Sequence, residues 1–588
     1  MASPHAAKPS SPDPSHSAAW TDLAAEWSRL AQQWSSSWTQ AATPPMPYAP
    51  TPSDAPAGFA VDPADAARIT ERYVATFQAL WQRLVASGGT AVSIVEPMPG
   101  DRRFEAPAWR EQPWFAWLQQ SYLLYGEYLR ELAAASRLPD AEKRRLAFMT
   151  RQFVDAIAPT NFAATNPEVL EEAVRTEGGS LAHGLANLVA DVGRGRISMS
   201  DESAFEVGRD LAVTPGHVVF RNPLIELIQY APSTPTVHRR PLVIVPPCIN
   251  KFYILDLRPS NSFVRHAVAQ GHTVFMVSWR NIPPELGHLA WDDYLTEGVL
   301  AALAVAREIS GSRTVNALGF CVGGTLLACA LAVLAARNDR SVESATFLTT
   351  MLDFADPGEI GVYVSPAFVE AREPALRAGQ RMQGAELAGA FASLRANELV
   401  WNYVVRNYLK GQAPPAFDLL YWNGDSANLP GPMFATYLKE LYIGNRLLEP
   451  DALTMAGESI DLASITMPLY VYASREDHIV PWKSAWRTTG LCGAGDTTFV
   501  LGASGHIAGV VNPPDPRKRS HWVNDLLPDD PEDWLARAGE VAGSWWPNWW
   551  RWIAPHGGPR TAAPRSPGSA AHPPVDPAPG RYVVEPSR

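Results

Sequence analysis

The sequence predicts an α/β fold built on a doubly wound parallel sheet and preceded by a mostly helical domain. After about residue 215, short apolar runs alternate with helical stretches, which is typical of buried parallel strands and their crossover helices. Between about residues 61 and 215 the apolar residues recur instead with a three-four period. The apolar stretch 316–336, NALGFCVGGTLLACALAVLAA, fits a strand that turns sharply into a helix.

The composition is that of a globular protein with irregular ends. The chain has 588 residues, 46 % of them hydrophobic and 53 of them proline, so it can bury a large core and form more than one domain. We expect four regions: a Pro/Ser-rich tail with a Trp-rich amphipathic helix, a helical N-terminal domain, an α/β catalytic domain and a Pro-rich C-terminal tail, at residues 1–60, 61–215, 216–555 and 556–588.

The Trp-rich helix is predicted from a seven-residue spacing. Trp20, Trp27 and Trp34 recur with leucines between them, which places the large apolar side chains on one helical face. Such a helix either docks on its own protein or binds an interface or a partner, and the pattern fits both. A Pro-rich stretch at 42–58 separates it from the helical domain, whose first two predicted helices cover residues 65–85 and 114–136.

Six apolar runs predict the parallel strands. Each is short and is bounded by turn-forming or charged residues. They are residues 239–247, 272–279, 313–319, 344–354, 467–474 and 497–502. A helix is expected at about 291–309, and a long insertion at about 355–440 interrupts the alternation.

Charge and cysteine content argue against several function classes. A net charge of −11 opposes a nucleic-acid partner, which needs clustered Lys and Arg. The N-terminus lacks the pattern of a secretory signal, and the four cysteines have neither metal-ligand nor CxxC spacing. The stretch 316–336 is long enough to cross a bilayer, but three glycines in its first half oppose that interpretation. We expect a cytoplasmic protein with no transmembrane segment and no metal site.

The stretch Gly319–Gly323, GFCVG, matches the G-x-nucleophile-x-G turn of α/β hydrolases, with Cys321 in the position of serine. The turn strains the backbone of the nucleophile and therefore needs small neighbours. The alternative is an inert buried cysteine, which describes Cys329, two helical turns further on, better. The motif predicts an α/β-hydrolase fold in which the insertion at about 355–440 forms a cap over the site.

The partners of the nucleophile should follow in the order acid, then histidine, each after a later strand. The loop after 467–474 supplies Asp477, and the loop after 497–502 supplies His506. Glu476 and Asp353 compete with Asp477, whose position after the penultimate strand favours it. His478 could contact a ligand, but an exposed loop histidine is the preferred interpretation.

Two backbone amides are expected to bind the oxyanion. Val322 is the first residue after the nucleophile, at the N-terminus of the predicted helix. The second donor should come from the loop after the strand at 241–246, where the amides near Cys248 and Ile249 are the candidates. Cys248 follows two prolines and has no identified base, so we interpret it as structural or pocket-lining.

Together these residues resemble the class I polyhydroxyalkanoate synthases. The matching stretches span about residues 158–583: APTNFAATNPEVL, VVFRNPLIELIQYAP, PPCINKFYILDL, GFCVGGT, NYLKG, YWNGDSANLPGPM, ASREDHIVPW, GASGHIAGVVNPP, SWWPNWWRWI and APGRYV. The sequence departs from the family at APTNF, where the family has a Ser-Pro start, far from the presumed site. The first 60 residues fall outside the resemblance.

The resemblance implies (R)-3-hydroxyacyl-CoA as substrate, most simply 3-hydroxybutyryl-CoA, with polyester and free CoA as products and no cofactor. It implies that Cys321 carries the growing chain, that His506 is the base and that Asp477 is the third essential residue. It further implies a homodimer at the surface of cytoplasmic polymer inclusions, in contact with granule-associated proteins.

Thiol chemistry agrees with the resemblance, because attack of a thiolate on a thioester exchanges one thioester for another and leaves a reactive acyl-enzyme. Two other classes stay open. One is a Cys-nucleophile α/β hydrolase acting as a thioesterase or polyester depolymerase, since the turn motif does not distinguish water from a hydroxyl as acceptor. The other is a non-catalytic granule-binding protein, against which the intact triad argues.

Overall fold

The computed structural model describes residues 61–86, 93–515 and 517–586. The predicted Trp-rich helix falls within residues 1–60 and lies outside the described residues. The strands are β1 (Gly216–Arg221), β2 (Ile225–Tyr230), β3 (Thr236–His238), β4 (Leu242–Val245), β5 (Val274–Trp279), β6 (Val315–Phe320), β7 (Val342–Leu348), β8 (Thr454–Met455), β9 (Glu458–Ser459), β10 (Leu469–Ser474), β11 (Thr497–Gly502), β12 (Ser520–Val523), β13 (Gly539–Ala542), β14 (Arg560–Ala562) and β15 (Asp576–Pro577).

Helices precede, connect and cover these strands. Six lie before the sheet: α1 (Pro63–Ala86), α2 (Ala108–Glu111), α3 (Pro113–Ala134), α4 (Asp140–Ala156), α5 (Pro167–Arg175) and α6 (Gly179–Arg194). The others are α7 (Phe263–Ala269), α8 (Trp291–Asp293), α9 (Ala301–Ser310), α10 (Val322–Ala336), α11 (Pro366–Arg377), α12 (Gly384–Leu394), α13 (Asp418–Asn423), α14 (Gly431–Thr436), α15 (Trp482–Trp486), α16 (Thr488–Leu491), α17 (His506–Val510), α18 (Pro531–Arg537) and α19 (Trp546–His556). Four π-helical turns occur at Tyr294–Leu300, Asn397–Trp401, Val404–Leu409 and Tyr437–Ile443 in the described residues.

The main sheet has the strand order β13-β12-β11-β10-β7-β6-β4-β5-β2-β1-β15. The six strands from β11 to β5 are parallel, and the strands on both flanks are antiparallel. Each of the six predicted apolar runs overlaps one of these parallel strands. The predicted α/β fold with a preceding helical region is therefore confirmed, and the carboxyl ends of the parallel strands meet at one edge, where such sheets bind ligands.

The apolar stretch that is long enough for a membrane span consists of the buried strand β6 and the helix α10. Every residue of α10 from Val322 to Leu334 is buried, which explains why this helix carries no polar face. It has only 15 residues. Within the described part of the chain, no helix combines the length and the apolarity that crossing a membrane requires.

The sheet has an apolar layer on each face. Alternate residues of β4 point to opposite layers: Val243 and Val245 join α10 on one side, and Leu242 and Ile244 join a tryptophan-rich cluster on the other. The tryptophans come from the SWWPNWW stretch that begins α19, where Trp545, Trp546 and Trp549 are fully buried.

We call residues 349–468, between β7 and β10, the cap region. The N-terminal helical region contacts the cap region through α4. Arg151 of α4 donates to Glu359 at 2.8 Å, and Gln152 donates to the carbonyl of Ser393 at 2.8 Å. The ring of Phe148 meets Tyr363 edge-on at 5.5 Å. The predicted insertion at about 355–440 lies within this cap region and is held from outside by α4.

The segment predicted as a Pro-rich C-terminal tail packs against the sheet domain. Its first strand, β14, pairs with β3, and its second, β15, pairs with β1 at the edge of the main sheet. Beyond β15, Tyr582 and Val583 are buried. These contacts fasten residues 560–586 along the antiparallel side of the sheet.

The indole of Trp549 should be a main support of this sheet. It is fully buried and its Nε1 donates to Thr346 of β7 at 2.9 Å. We expect Trp549→Ala to lower the free energy of unfolding by about 3–5 kcal/mol, because it leaves a large cavity and an unpaired hydroxyl. Trp114→Ala, at a site 57 % exposed, should change it by less than about 0.5 kcal/mol. Urea unfolding of both variants measures the difference, and equal losses would contradict it.

Candidate active site

Cys321 stands at the sharp turn between β6 and α10. Its backbone has φ 54° and ψ −129°, a strained conformation for a residue with a side chain. The glycines of the motif make the turn possible. A Cβ at Gly323 would collide with the carbonyl oxygens of Val245 and Pro246, and one at Gly319 would collide with the start of α10. The turn thereby presents the partly exposed thiol at the edge where the parallel strands end.

His506 and Asp477 lie beside this thiol at the same sheet edge: Asp477 is in the loop after β10, and His506 is the first residue of α17, after β11. The carboxylate Oδ2 of Asp477 is 2.6 Å from Nδ1 of His506. Its Oδ1 accepts the amides of Ile479 and Val480 at 2.8 and 2.9 Å, which fixes the carboxylate plane. Cys321 is also hydrogen-bonded to the imidazole of His506. Because Asp477 occupies Nδ1, the ring nitrogen left for Cys321 is Nε2. The structure thus brings together the three side chains that the sequence motifs predict as the nucleophile, the histidine and the acid.

The competing side chains lie elsewhere. Glu476 is exposed, and Asp353 forms an ion pair with Arg487 at 2.6 Å. The preferred interpretation of His478 was wrong: this residue is half-buried, and burial lowers the pKa of its imidazole to about 4. The reason is that the cap region covers the segment after β10. Arg395 of the cap region donates to the carbonyl of Glu476, and Ser484 of α15 donates to the carbonyl of Asp356 in the cap region.

The electrostatics of the site favour a charged histidine. Burial alone lowers the pKa of His506, but the carboxylate of Asp477 and the thiol of Cys321 outweigh it and raise this pKa to about 10. A protonated imidazole stabilises the negative charge that a neighbouring sulfur develops as it reacts. The arrangement therefore places a positive charge beside the sulfur of Cys321, which suits nucleophilic chemistry.

The other three cysteines lie in surroundings that suppress this chemistry. Cys329 and Cys492 are buried, and burial raises the pKa of each thiol to about 12. Burial raises the pKa of Cys248 further above its usual range, and the nearby Cys321 adds to the effect. Cys248 belongs to the apolar layer on the α10 side of the sheet.

Both predicted oxyanion donors lie at the site. Val322 is the first residue of α10, where the amide has no acceptor within the helix. Ile249 lines the same cavity as Cys321, and its carbonyl accepts the amide of Ala427 at 2.8 Å. The cap region thus holds the loop after β4 by its backbone. This contact links residues that are remote in sequence, so the position of Ile249, the predicted second donor, depends on the cap region.

The thiol opens into a largely apolar cavity. Most of the wall comes from the cap region, including Tyr363, Phe368, Leu387, Phe391, Phe434 and Leu438. Such a wall accommodates aliphatic acyl groups and disfavours bulk water.

Sequence reasoning missed the polar groups of this wall. Tyr437 and Tyr442 line the cavity with their hydroxyls hydrogen-bonded to each other, and Arg372 pairs with Glu386 at 2.8 Å. The two tyrosines are five residues apart, a spacing that an α-helix does not align. They meet because Tyr437–Ile443 forms a π-helical turn, whose only sequence signal is its pair of aromatic residues.

No group of three or more His, Cys, Asp or Glu side chains is placed to hold a metal ion in residues 61–86, 93–515 and 517–586. The side chains of Cys321, His506 and Asp477 are hydrogen-bonded to one another. The expectation that the site needs no metal and no cofactor stays a prediction.

Comparisons with known proteins give a consistent result. The pattern of the poly-beta-hydroxybutyrate polymerase N-terminus matches residues 100–267, and that of the alpha/beta hydrolase fold matches residues 241–513. The chain is 51 % identical to the poly(3-hydroxyalkanoate) polymerase subunit PhaC of Cupriavidus necator, with 90 % of each chain covered. It is 41 % identical to the poly(3-hydroxyalkanoate) polymerase of Methylorubrum extorquens, covering 89 % of this chain and 87 % of that one. It is 40 % identical to poly(3-hydroxyalkanoate) polymerase 2 of Ectopseudomonas oleovorans, covering 85 % and 90 %.

The geometry predicts how Asp477 supports the thiol. Asp477→Asn removes the carboxylate that raises the pKa of His506, so the imidazole loses its proton at lower pH and the thiolate loses its counter-ion. We expect the rate of Cys321 alkylation by iodoacetamide at pH 7 to fall about tenfold or more.

The matched control is Asp353→Asn, which removes a carboxylate that is paired with Arg487 at the same sheet edge. This variant should keep the rate within about twofold, since its carboxylate is not bonded to His506. Mass spectrometry of the alkylated peptide identifies the modified cysteine. Equal rates for wild type and Asp477→Asn would refute the supporting role.

Proposed function

The chain belongs to the poly(3-hydroxyalkanoate) polymerase family of acyltransferases, and we propose that it polymerises (R)-3-hydroxyacyl-CoA, preferentially 3-hydroxybutyryl-CoA, into polyester with release of CoA. The observation that carries this proposal is the chain of side chains Cys321–His506–Asp477, whose cysteine lines an apolar cavity. No cofactor is needed, because the CoA thioester is itself the activated substrate.

In the first step the Cys321 thiolate attacks the thioester carbonyl carbon of the monomer. A new sulfur–carbon bond forms to Cys321, and the bond from the acyl carbon to the CoA sulfur breaks. The imidazolium of His506 gives its proton to the departing CoA sulfur. Val322 and Ile249 are proposed to donate their amides to the carbonyl oxygen while it carries negative charge.

In the second step the hydroxyl of a hydroxyacyl group attacks the acyl carbon held on Cys321. Neutral His506 takes the hydroxyl proton, an ester bond forms, and the bond to the Cys321 sulfur breaks. The thiolate and the imidazolium are restored together. Because the first step only exchanges one thioester for another, the acyl group stays reactive until the hydroxyl arrives.

Asp477 is proposed to orient His506 rather than to act on the hydroxyl. Both of its carboxylate oxygens are engaged, one by the imidazole and the other by two backbone amides. A carboxylate held in this way fixes the tautomer of the imidazole and stabilises its positive charge.

The cap region supports transfer to a hydroxyl rather than to water. Its apolar side chains form most of the cavity wall, so bulk water is excluded while an aliphatic acyl group is accommodated. The alternative is a Cys-nucleophile hydrolase acting as a thioesterase or depolymerase, whose chemistry would use the same triad with water as the acceptor.

The assembly and location of the enzyme are part of the proposal. We expect a homodimer that works at the surface of cytoplasmic polymer inclusions, in contact with granule-associated proteins. The family membership supports these expectations, and the Trp-rich face predicted within residues 1–60 suits such a surface.

Cys321 should be the site of acylation. With radiolabelled (R)-3-hydroxybutyryl-CoA, we expect Cys321→Ala to abolish both covalent labelling and CoA release, because the nucleophile is lost. Cys329→Ala and Cys492→Ala serve as controls and should keep most of the activity, since their thiols are buried outside the site. Label on any other cysteine would exclude the assignment.

The product distinguishes a polymerase from a hydrolase. Purified protein given (R)-3-hydroxybutyryl-CoA should convert most of the released thiol equivalents into insoluble polyester, because a hydroxyl is the acceptor. The measurement compares thiol release with the mass of polymer and of free acid, as thiol release alone is common to both reactions. Stoichiometric free 3-hydroxybutyrate without polymer would replace the proposal by the hydrolase alternative.

A further inference from the structure

A buried lysine joins the loop after β4 to the segment that follows β15. Lys251 is only 3 % exposed, two residues after Ile249. Its Nζ donates to the backbone carbonyls of Glu585 at 2.9 Å and of Tyr582 at 3.3 Å. A buried ammonium is costly unless its hydrogen bonds are satisfied. The two carbonyls satisfy it here, so the contact is part of the buried structure of the fold.

The partner segment is itself firmly attached. The amides of Arg581 and Tyr582 donate to the fully buried carboxylate of Glu226 at 2.9 and 3.0 Å. Arg280 pairs with Glu585 at 3.1 Å and stacks over the ring of Tyr582 at 4.8 Å. Residues 581–585 are thus fastened to the antiparallel flank of the sheet and can serve as a fixed anchor.

The cap region holds the same loop from the other side. The indole of Trp422 donates to the carbonyl of Lys251 at 2.7 Å, and the amide of Ala427 donates to the carbonyl of Ile249 at 2.8 Å. The loop after β4 therefore lies between two supports, the cap region and the anchor, and Lys251 is its side-chain attachment to the anchor.

We propose that Lys251 is a positioning residue, through which the anchor at residues 581–585 sets the position of the Ile249 amide in the proposed oxyanion site. This inference rests on the proposed function, because it gives Ile249 a role in the acyl-transfer step. Without the ammonium, the loop keeps its attachments to the cap region and, through Pro246, to Trp279 of β5, but it loses its side-chain attachment to the anchor.

The main variants are Lys251→Met, which keeps the aliphatic stem, and a chain that ends at Val584, which lacks the Glu585 carbonyl. We expect each to lower kcat for CoA release from (R)-3-hydroxybutyryl-CoA by about ten- to a hundredfold, with KM changed less than about threefold. Combining the two changes should lower kcat by less than the product of the two single effects, because both remove the Lys251–Glu585 bond, although the shortened chain also loses the Arg280–Glu585 pair. Lys251→Arg should recover part of the rate.

A second readout separates positioning from general damage. Alkylation of Cys321 by iodoacetamide forms no tetrahedral oxyanion, so its rate should stay within about twofold of wild type. The matched control is Arg560→Met, which cuts a cationic tether to the carbonyls of Thr236 and Gln270, also from the C-terminal segment. Its kcat should be unchanged, because that tether is not attached to the loop after β4.

Three outcomes would overturn the inference: an unchanged kcat in Lys251→Met, fully additive losses in the combined variant, or a parallel fall of kcat, alkylation rate and thermal unfolding temperature. Because CoA release is measured, the result does not depend on whether wild type makes polymer or free acid. A failure of the polymerase proposal is therefore distinguishable from a failure of the positioning role.

Discussion

The positive φ of Cys321 is the constraint on which the rest of the site depends. A residue with a side chain adopts this conformation only when surrounding contacts enforce it. β6, α10 and the carbonyls at the end of β4 provide those contacts, and they require glycine at 319 and 323. The same turn places the thiol at the end of the parallel strands and leaves the first amide of α10 beside it. The unbroken burial of α10 secures this turn within the core.

Burial and neighbouring charges shift the pKa of His506 in opposite directions, and their balance determines whether the imidazole is protonated. Desolvation disfavours a charged imidazole, but the adjacent carboxylate and thiol favour it more strongly. The carboxylate remains effective because two amides and the imidazole hold it away from solvent. The other three thiols are buried without an imidazole partner, and burial raises the pKa of each. Of the four cysteines, only Cys321 is both partly exposed and beside a histidine.

The surroundings of the site are assembled from segments that are far apart in the chain. The cap region forms most of the cavity wall and holds the loop after β4, while α4 of the helical region holds the cap region from outside. The segment after β15 returns to the antiparallel flank and reaches the loop after β4 through Lys251. The position of the loop after β4 therefore depends on the helical region, the cap region and the segment after β15.

The sequence alone determined the parallel strands, the nucleophile turn and the order of Cys321, Asp477 and His506, because each rests on a pattern within one strand or turn. The family resemblance extended these to an acyl-transfer chemistry. The tertiary structure decided what local patterns do not encode: the half-burial of His478 under the cap region, the meeting of Tyr437 with Tyr442 and the attachment of Lys251 to residues 582 and 585. These contacts join residues through packing or through a rare helical turn. For the two tyrosines and for Lys251, the physical reason is that buried polar groups need hydrogen-bond partners, which the fold supplies from remote segments.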